Sequence, residues 1–231
     1  DYCKSVPGCA PPNPNGLWNK QPDSPQPRVA AAGVRLDATS FATIGGIQTT
    51  GTLQSTGTVS LFSDSDSGIG WSNTSQFKDM PTPRHNLSAA VSEDGFLYTI
   101  GGQSSQHNST ALNTVEEFVP NTNTWTTKKP MPTARYSLSS AMLSDGTIYA
   151  VGGSNGSHVF DVMESYSPDN DEWDTAVHML EKREGHCVAV NDNQLYITGG
   201  FNGSDFLASV EMYDASSKNW TKLPPMTHAR S

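Results

Sequence analysis

Long apolar runs are missing from this 231-residue chain. No window of about 18 apolar residues occurs, so no segment reads as a membrane-spanning helix. Basic residues are also few: 14 Lys and Arg stand against 23 Asp and Glu, a formal charge of −9. No basic stripe of the kind nucleic-acid binding requires is present. The negative balance favours solubility and disfavours anionic partners.

Cysteine is sparse, with three residues. Cys3 and Cys9 are close enough to close a small disulfide loop in an oxidising compartment. Cys187, inside the apolar run GHCVAVNDNQLYITGG, reads as an inert buried thiol. The six histidines (85, 107, 158, 178, 186 and 228) show no pair at metal-ligand spacing. No Ser/His/Asp or Cys/His set has a recognisable local context. The expectation is therefore no metal, no cofactor and no catalytic residue. The chain begins at Asp1 rather than Met, which fits either a removed signal peptide or a fragment.

What is abundant is turn chemistry, with 20 Gly and 15 Pro in a Ser/Thr-rich background. That mix suits many short strands joined by turns. The strands are periodic. Apolar runs end in glycine pairs at FATIGG (41–46), LYTIGG (97–102), IYAVGG (148–153) and LYITGG (195–200). Each is followed by a short cluster, VSLF (59–62), VEEF (115–118), MESY (163–166) or VEMY (210–213), and then by Trp71, Trp125, Trp173 or Trp220. Beyond the tryptophan come MPTPR, MPTAR, MLEKR and MTHAR, ending at Arg84, Arg135, Arg183 and Arg230. From Arg28, Arg84, Arg135 and Arg183 the next glycine pair begins 17, 17, 17 and 16 residues on. The cluster aromatic precedes its tryptophan by 9, 7, 7 and 7 residues. Four landmarks kept in one order through four copies are architecture. In the last copy, HCVAVN and SVEMYDA alternate, QLYITGG is a buried-type run, and NWTKLPPM is a short strand halted by prolines. SPDNDE and DASSK supply the turns between third and fourth strands. A four-stranded antiparallel sheet cannot bury both faces alone, so the expected fold is all-β, with four such sheets arranged radially.

Repetition also decides what the glycine pairs do. A phosphate cradle needs a following helix N-terminus and usually a lysine, and neither is present. The pairs instead let the backbone pass close to a neighbour and release the strand into its turn. SDSDSG (63–68) resembles half of a calcium loop but has Ser75 where the twelfth-position Glu belongs, and reads as a solvated loop.

The pattern resembles the kelch repeat over residues 28 to 231. The resemblance is carried by the glycine pairs, by Glu116, Glu164 and Glu211, by the cluster aromatics, by the tryptophans and by Met-x-x-x-Arg. The first copy departs, with Ser60 in place of the Glu, Phe41 in place of Leu or Ile, and longer loops. The resemblance implies a β-propeller with repeats at about 28–80, 81–130, 131–178 and 179–231, behind a Cys/Pro-rich leader (1–17). WNKQPDSPQPR (18–28) has the same ten-residue Trp-to-Arg separation as the last three copies, so 18–27 is a candidate fourth strand of another blade. Kelch rings commonly have six blades, which makes this chain a portion of a longer ring. A four-bladed ring that leaves 18–28 as an extended arm is the alternative.

In kelch domains that bind peptides, the residue after each glycine pair and the residue after each arginine line one mouth of the channel. The matching positions are Ile47, Gln103, Ser154 and Phe201, and Val29, His85, Tyr136, Glu184 and Ser231. The expected ligand contacts are His85, Gln103, Tyr136, Ser154, Glu184 and Phe201, a set without the arginines of acidic-peptide readers. N-glycosylation sequons stand at Asn73, Asn86, Asn108, Asn155, Asn202 and Asn219. With the cysteine pair they favour a secreted glycoprotein that binds a protein or a glycan, or that assembles an extracellular structure. The rivals are a sugar oxidase or mutarotase on the same fold, and an intracellular substrate adaptor. Copper-dependent kelch-like oxidases carry a Cys-modified tyrosine, for which a buried Cys187 is unsuited.

Overall fold

The computed structural model describes residues 22–24, 26–49, 53–65, 68–72, 76–105, 110–175 and 177–231. Cys3, Cys9, Trp18, Asn73 and Asn108 lie outside these.

Four antiparallel four-stranded sheets follow one another along the chain. Blade one comprises Ala32–Arg35, Ser40–Ile44, Val59–Ser65 and Gly68–Trp71. Blade two comprises Ser88–Val91, Leu97–Ile100, Val115–Val119 and Thr124–Lys128. Blade three comprises Ser139–Met142, Ile148–Val151, Met163–Ser167 and Glu172–Thr175. Blade four comprises Cys187–Asn191, Gln194–Thr198, Val210–Asp214 and Asn219–Leu223. The all-β propeller of four-stranded blades expected from the repeat is the observed fold. Of SDSDSG, residues 63–65 end the third strand of blade one and Gly68 begins the fourth, with Asp64 paired to Ile69 in the ladder, so these residues are strand where a loop was expected; 66–67 lie outside the described residues.

The core lies between blades. Ala42, Ile44 and Val59 of blade one meet Met80, Leu97 and Phe118 of blade two, and the same layering recurs at the next two junctions. The second strands read as unbroken apolar runs because neighbouring blades cover both faces: all of Leu97–Ile100 and all of Ile148–Val151 are buried. The seven-residue spacing from aromatic to tryptophan is a cross-strand pair. Trp125, Trp173 and Trp220 stand opposite Phe118, Tyr166 and Tyr213, with ring centroids 4.9, 5.0 and 5.1 Å apart.

The glycine pairs are the junctions between blades. The second glycine of each pair donates its N–H to the carbonyl of the next arginine: Gly46 to Arg84, Gly102 to Arg135, Gly153 to Arg183 and Gly200 to Arg230, at 2.7–2.9 Å. A Cβ on the first glycine would stand 2.4–2.5 Å from that same carbonyl. The close approach expected for the glycines is therefore made to the neighbouring blade's backbone.

Indole N–H groups stitch the outer strands. Trp125, Trp173 and Trp220 donate to the carbonyls of Lys78, Lys129 and Val177 in the preceding connector, at 2.9, 2.9 and 3.4 Å. Trp71 donates to Pro22 at 2.9 Å. Pro22 stands six residues before Arg28, as Lys78, Lys129 and Val177 stand before their arginines. A second stitch comes from the left-handed turn residues Asn123 (φ 53) and Asp171 (φ 49). Their side-chain oxygens accept the N–H groups of Lys78 and Lys129, each at 2.8 Å. The matching residue of blade four is Lys218 (φ 56), which has no acceptor to offer. Lys218→Asn restores the acceptor and suits the backbone angle. It is expected to stabilise the protein by about 1 kcal/mol, raising Tm by roughly 2–4 °C in thermal unfolding.

The inner strands pack in a row, Ala32–Arg35 on Ser88–Val91, that strand on Ser139–Met142, and that on Cys187–Asn191. Among the described residues, no comparable packing joins Cys187–Asn191 to Ala32–Arg35. The inner strand of blade four is consequently open, and Cys187 is exposed. This corrects the reading of Cys187 as a buried thiol. Its apolar neighbours are of core type, but among the described residues no blade packs against that side of the strand.

Candidate functional site

The mouth is built on buried arginines. Arg84, Arg135 and Arg183 are fully buried and pair with Glu116, Glu164 and Glu211 of the same blades at 2.5, 2.9 and 2.5 Å. Other terminal N–H groups reach backbone carbonyls, such as Val162 and Ala150 for Arg135, whereas Nε of Arg84 and of Arg183 has no partner. Burial lowers the Arg135 pKa to about 10, against the opposing pull of Glu164. In blade one Ser60 stands in for the carboxylate. There Arg28 bonds the Ser60 and Thr43 hydroxyls at 2.5 and 2.9 Å, and the field of Asp79 partly offsets its desolvation.

Fixing each arginine fixes the residue after it. His85 and Gln103 exchange two backbone hydrogen bonds of 2.9 Å, and so do Tyr136 and Ser154. Glu184 and Phe201 exchange bonds of 3.0 and 2.9 Å. Val29 faces Ile47 in the same relation. The structure thus brings all six expected contact residues to one end of the blades, in three bonded pairs. A third residue extends each ladder: Ser55 beside Ile47, Ala111 beside Gln103, Val159 beside Ser154 and Phe206 beside Phe201. Counting from the glycine pairs hides these residues, because the intervening loops differ in length. Counting back from position 60, 116, 164 or 211 finds each of them five residues earlier.

The two sides of the mouth differ chemically. On the side of blades one and two, His85 is buried and its Nδ1 lies 2.9 Å from the Ser55 hydroxyl. Burial lowers its pKa, so the ring is neutral near pH 7. Ser55 and Ser105 lock the two blades by reciprocal bonds, each hydroxyl accepting the other's N–H at 2.9 and 3.0 Å. On the side of blades three and four, Phe201 and Phe206 pack with centroids 5.4 Å apart, and Phe206 is 61% exposed.

Next along the chain from these mouth residues, Ala30, Asn86, Ser137 and Gly185 form an arc. All four are left-handed, with φ between 51 and 62°. The N–H of each of the last three donates to the carbonyl of the one before, at 2.8–2.9 Å. Asn86 is therefore half-buried in this arc. Asn155 and Asn202 open two matching turns beside the mouth, each Oδ1 accepting two N–H groups at 2.8–3.0 Å. Asn219 begins an exposed outer strand.

At the opposite end, blades two and three enclose a cleft of about 300 Å³ lined by Tyr98, Glu117, Asp145 and Asp169 among others. Tyr98 donates its hydroxyl to Glu117, which Lys128 also approaches at 3.8 Å. Among the described residues, no three His, Cys, Asp or Glu side chains converge as metal ligands do.

A family model for the KLHDC2/KLHL20/DRC7 Kelch-repeats domain matches residues 34–231. Kelch-like protein 26 of Danio rerio is 36% identical over 112 residues, 47% of this chain and 18% of that protein. Kelch-like ECH-associated protein 1A of Danio rerio is 40% identical over 79 residues, 34% of this chain and 13% of that protein. The chain thus spans less than a fifth of these relatives. The solved structure of YjhT superposes with a TM-score of 0.74 over 90% of this chain and 68% of that one, at 16% identity, a likeness of fold.

Proposed function

Because the chain belongs to the kelch-repeat family, we propose that it is a non-catalytic module that binds a protein segment at the mouth. The observation that carries this reading is the pairing of His85 with Gln103, Tyr136 with Ser154 and Glu184 with Phe201. Paired backbone bonds hold these side chains in place before any ligand arrives, which lowers the entropic cost of binding. Their variety from blade to blade supplies the means to discriminate. A relative named for association with ECH is in keeping with a protein partner.

Selection of peptides from a random library by the purified chain tests the reading. Selected peptides are expected to lose at least tenfold in affinity to a Gln103→Ala/Tyr136→Ala variant, the scale on which clustered interface contacts act. They should bind Asp145→Ala, at the far end, unchanged. Binding that survives the mouth variant but fails in Asp145→Ala would place the site elsewhere. Turnover of a free sugar by the purified chain, with or without copper, would overturn the non-catalytic part.

The finer reading is a secreted glycoprotein, supported by the sequons at Asn155 and Asn202 in turns that frame the mouth. Intact mass before and after deglycosylation and reduction checks it. Unmodified asparagines with free Cys3 and Cys9 thiols would leave the intracellular adaptor in its place.

A further inference from the structure

We infer that the sector of the mouth between blades three and four recognises an extended peptide with an apolar side chain next to a Lys or Arg. Phe201 and Phe206 would take the apolar side chain, and Glu184 would take the cation. The inference rests on the mouth reading above and gives it a ligand chemistry.

Three observations point the same way. First, the aromatic pair is open: Phe206 is 61% exposed while its ring lies tilted against that of Phe201. An aromatic left in water beside a second ring is the kind of anchor that contributes most at interfaces. Second, the loops that present this surface are pre-shaped. In 202–205 the Asn202 side chain accepts the N–H groups of Ser204 and Asp205 at 2.9 and 2.8 Å, and its own N–H donates to the Asp205 carbonyl at 3.1 Å. A Cβ on Gly203 would touch Val159 of the neighbouring turn at 3.6 Å, so the two turns abut. The turn 155–158 repeats the same Asx geometry beneath Tyr136.

Third, one carboxylate of the sector is unpaired. Among the described residues Glu184 has no ion-pair partner, whereas the carboxylates of Glu116, Glu164 and Glu211 each have an arginine. Glu184 adjoins Phe201 in the ladder, so the carboxylate and the aromatic pair are presented together. The charged groups around this sector are Glu184 and Asp205, Lys182, whose ammonium lies beside Gly203, and the exposed Arg230, whose backbone bonds Gly200 and Leu207 beside the aromatic pair. His85, across the mouth, is held neutral by burial. With a formal charge of −9 on the whole chain, a basic segment is attracted at long range as well.

The probe is a library of random 12-residue peptides displayed on phage and selected on the purified chain. Enriched peptides are expected to share an aromatic or branched aliphatic residue adjacent to Lys or Arg. Phe206→Ala should weaken a consensus synthetic peptide about 10- to 30-fold, the effect of losing an aromatic anchor. Glu184→Gln should weaken it about 3- to 10-fold and abolish its preference over a copy with Lys or Arg replaced by Gln. Both positions are solvent-accessible, so unchanged melting curves are expected and separate lost binding from lost folding. Peptides that bind at the mouth but carry acidic consensus residues, or that bind Phe206→Ala unchanged, would overturn this inference while leaving the mouth reading intact. Peptides unaffected by Gln103→Ala/Tyr136→Ala as well would overturn both. Binding of neutral oligosaccharides on a glycan array, lost in Phe206→Ala, with no peptide selected, would replace the peptide by a glycan.

Discussion

Replacing Glu164 by alanine is expected to destabilise the protein by about 3–5 kcal/mol, the usual result of stripping a buried charge of its partner. Arg135 is fully buried and holds Glu164 at 2.9 Å, with the carbonyls of Val162 and Ala150 on its other N–H groups. Carbonyls satisfy hydrogen bonding but carry no net charge to offset the guanidinium. The Thr133 hydroxyl, which donates to the second carboxylate oxygen at 2.6 Å, loses its acceptor as well. For a domain of this size the loss corresponds to a fall in Tm of roughly 6–20 °C. The double variant Arg135→Met/Glu164→Leu removes both charges and should be much less damaged. Thermal unfolding of the two variants decides it: equal losses would mean that packing, not charge pairing, sets the cost. Blade one already shows what the fold does without the carboxylate. Arg28 there is only half-buried, and hydroxyl groups replace the missing acid.

Replacing His186 by leucine is expected to do the opposite. Leu87 and Leu138 hold the matching places in blades two and three, each with a methyl over the first glycine of the preceding pair. His186 sits over Gly152 in the same way, but neither ring nitrogen makes a hydrogen bond. Each orphaned polar atom costs about 1–3 kcal/mol, so the leucine should stabilise by a comparable amount near neutral pH. A pH effect accompanies this. Burial, with Arg183 and Arg135 nearby, pushes the folded His186 pKa down to about 3, against 6.5 in an ordinary setting. Between those values the unfolded chain takes up a proton that the folded chain refuses. Stability is therefore full above about pH 6.5 and falls as pH drops toward 3, by about 2 kcal/mol at pH 5. Urea unfolding at pH 7.5 and pH 5 measures it. His186→Leu should abolish this part of the acid sensitivity; an unchanged pH dependence would show that other groups cause it.

Much of the fold and two of the three mouth residues of each blade were legible because the chain writes its architecture four times. The Arg-to-glycine spacing is the length of one hairpin start, and the seven-residue aromatic-to-tryptophan interval is one facing pair across a tight turn. Regular local geometry of this kind leaves a fixed spacing in the sequence. The first two mouth residues of each blade could be found because they directly follow such landmarks. Ser55, Ala111, Val159 and Phe206 escaped because loops of unequal length separate them from the glycine pairs, although their distance to the buried acid position is constant. His186 also hid in plain view, since an imidazole at a leucine position looks unremarkable until the space around it is known.

By itself, then, the sequence determined the repeating unit, its strands and the first two of the three residues that each blade sends to the mouth. All are consequences of short-range geometry. The tertiary structure decided what distant segments do to one another: the pairing of each buried arginine with the glutamate of its own blade, the orphaned imidazole of His186, the indole stitches from Trp71 to Pro22 and from Trp125 to Lys78, and the exposure of Cys187. Partners in those stitches lie 49 and 47 residues apart. No local periodicity records which face a neighbouring blade will cover. Cys187 has apolar sequence neighbours like a core residue, yet it is exposed, since among the described residues no further blade packs against its strand.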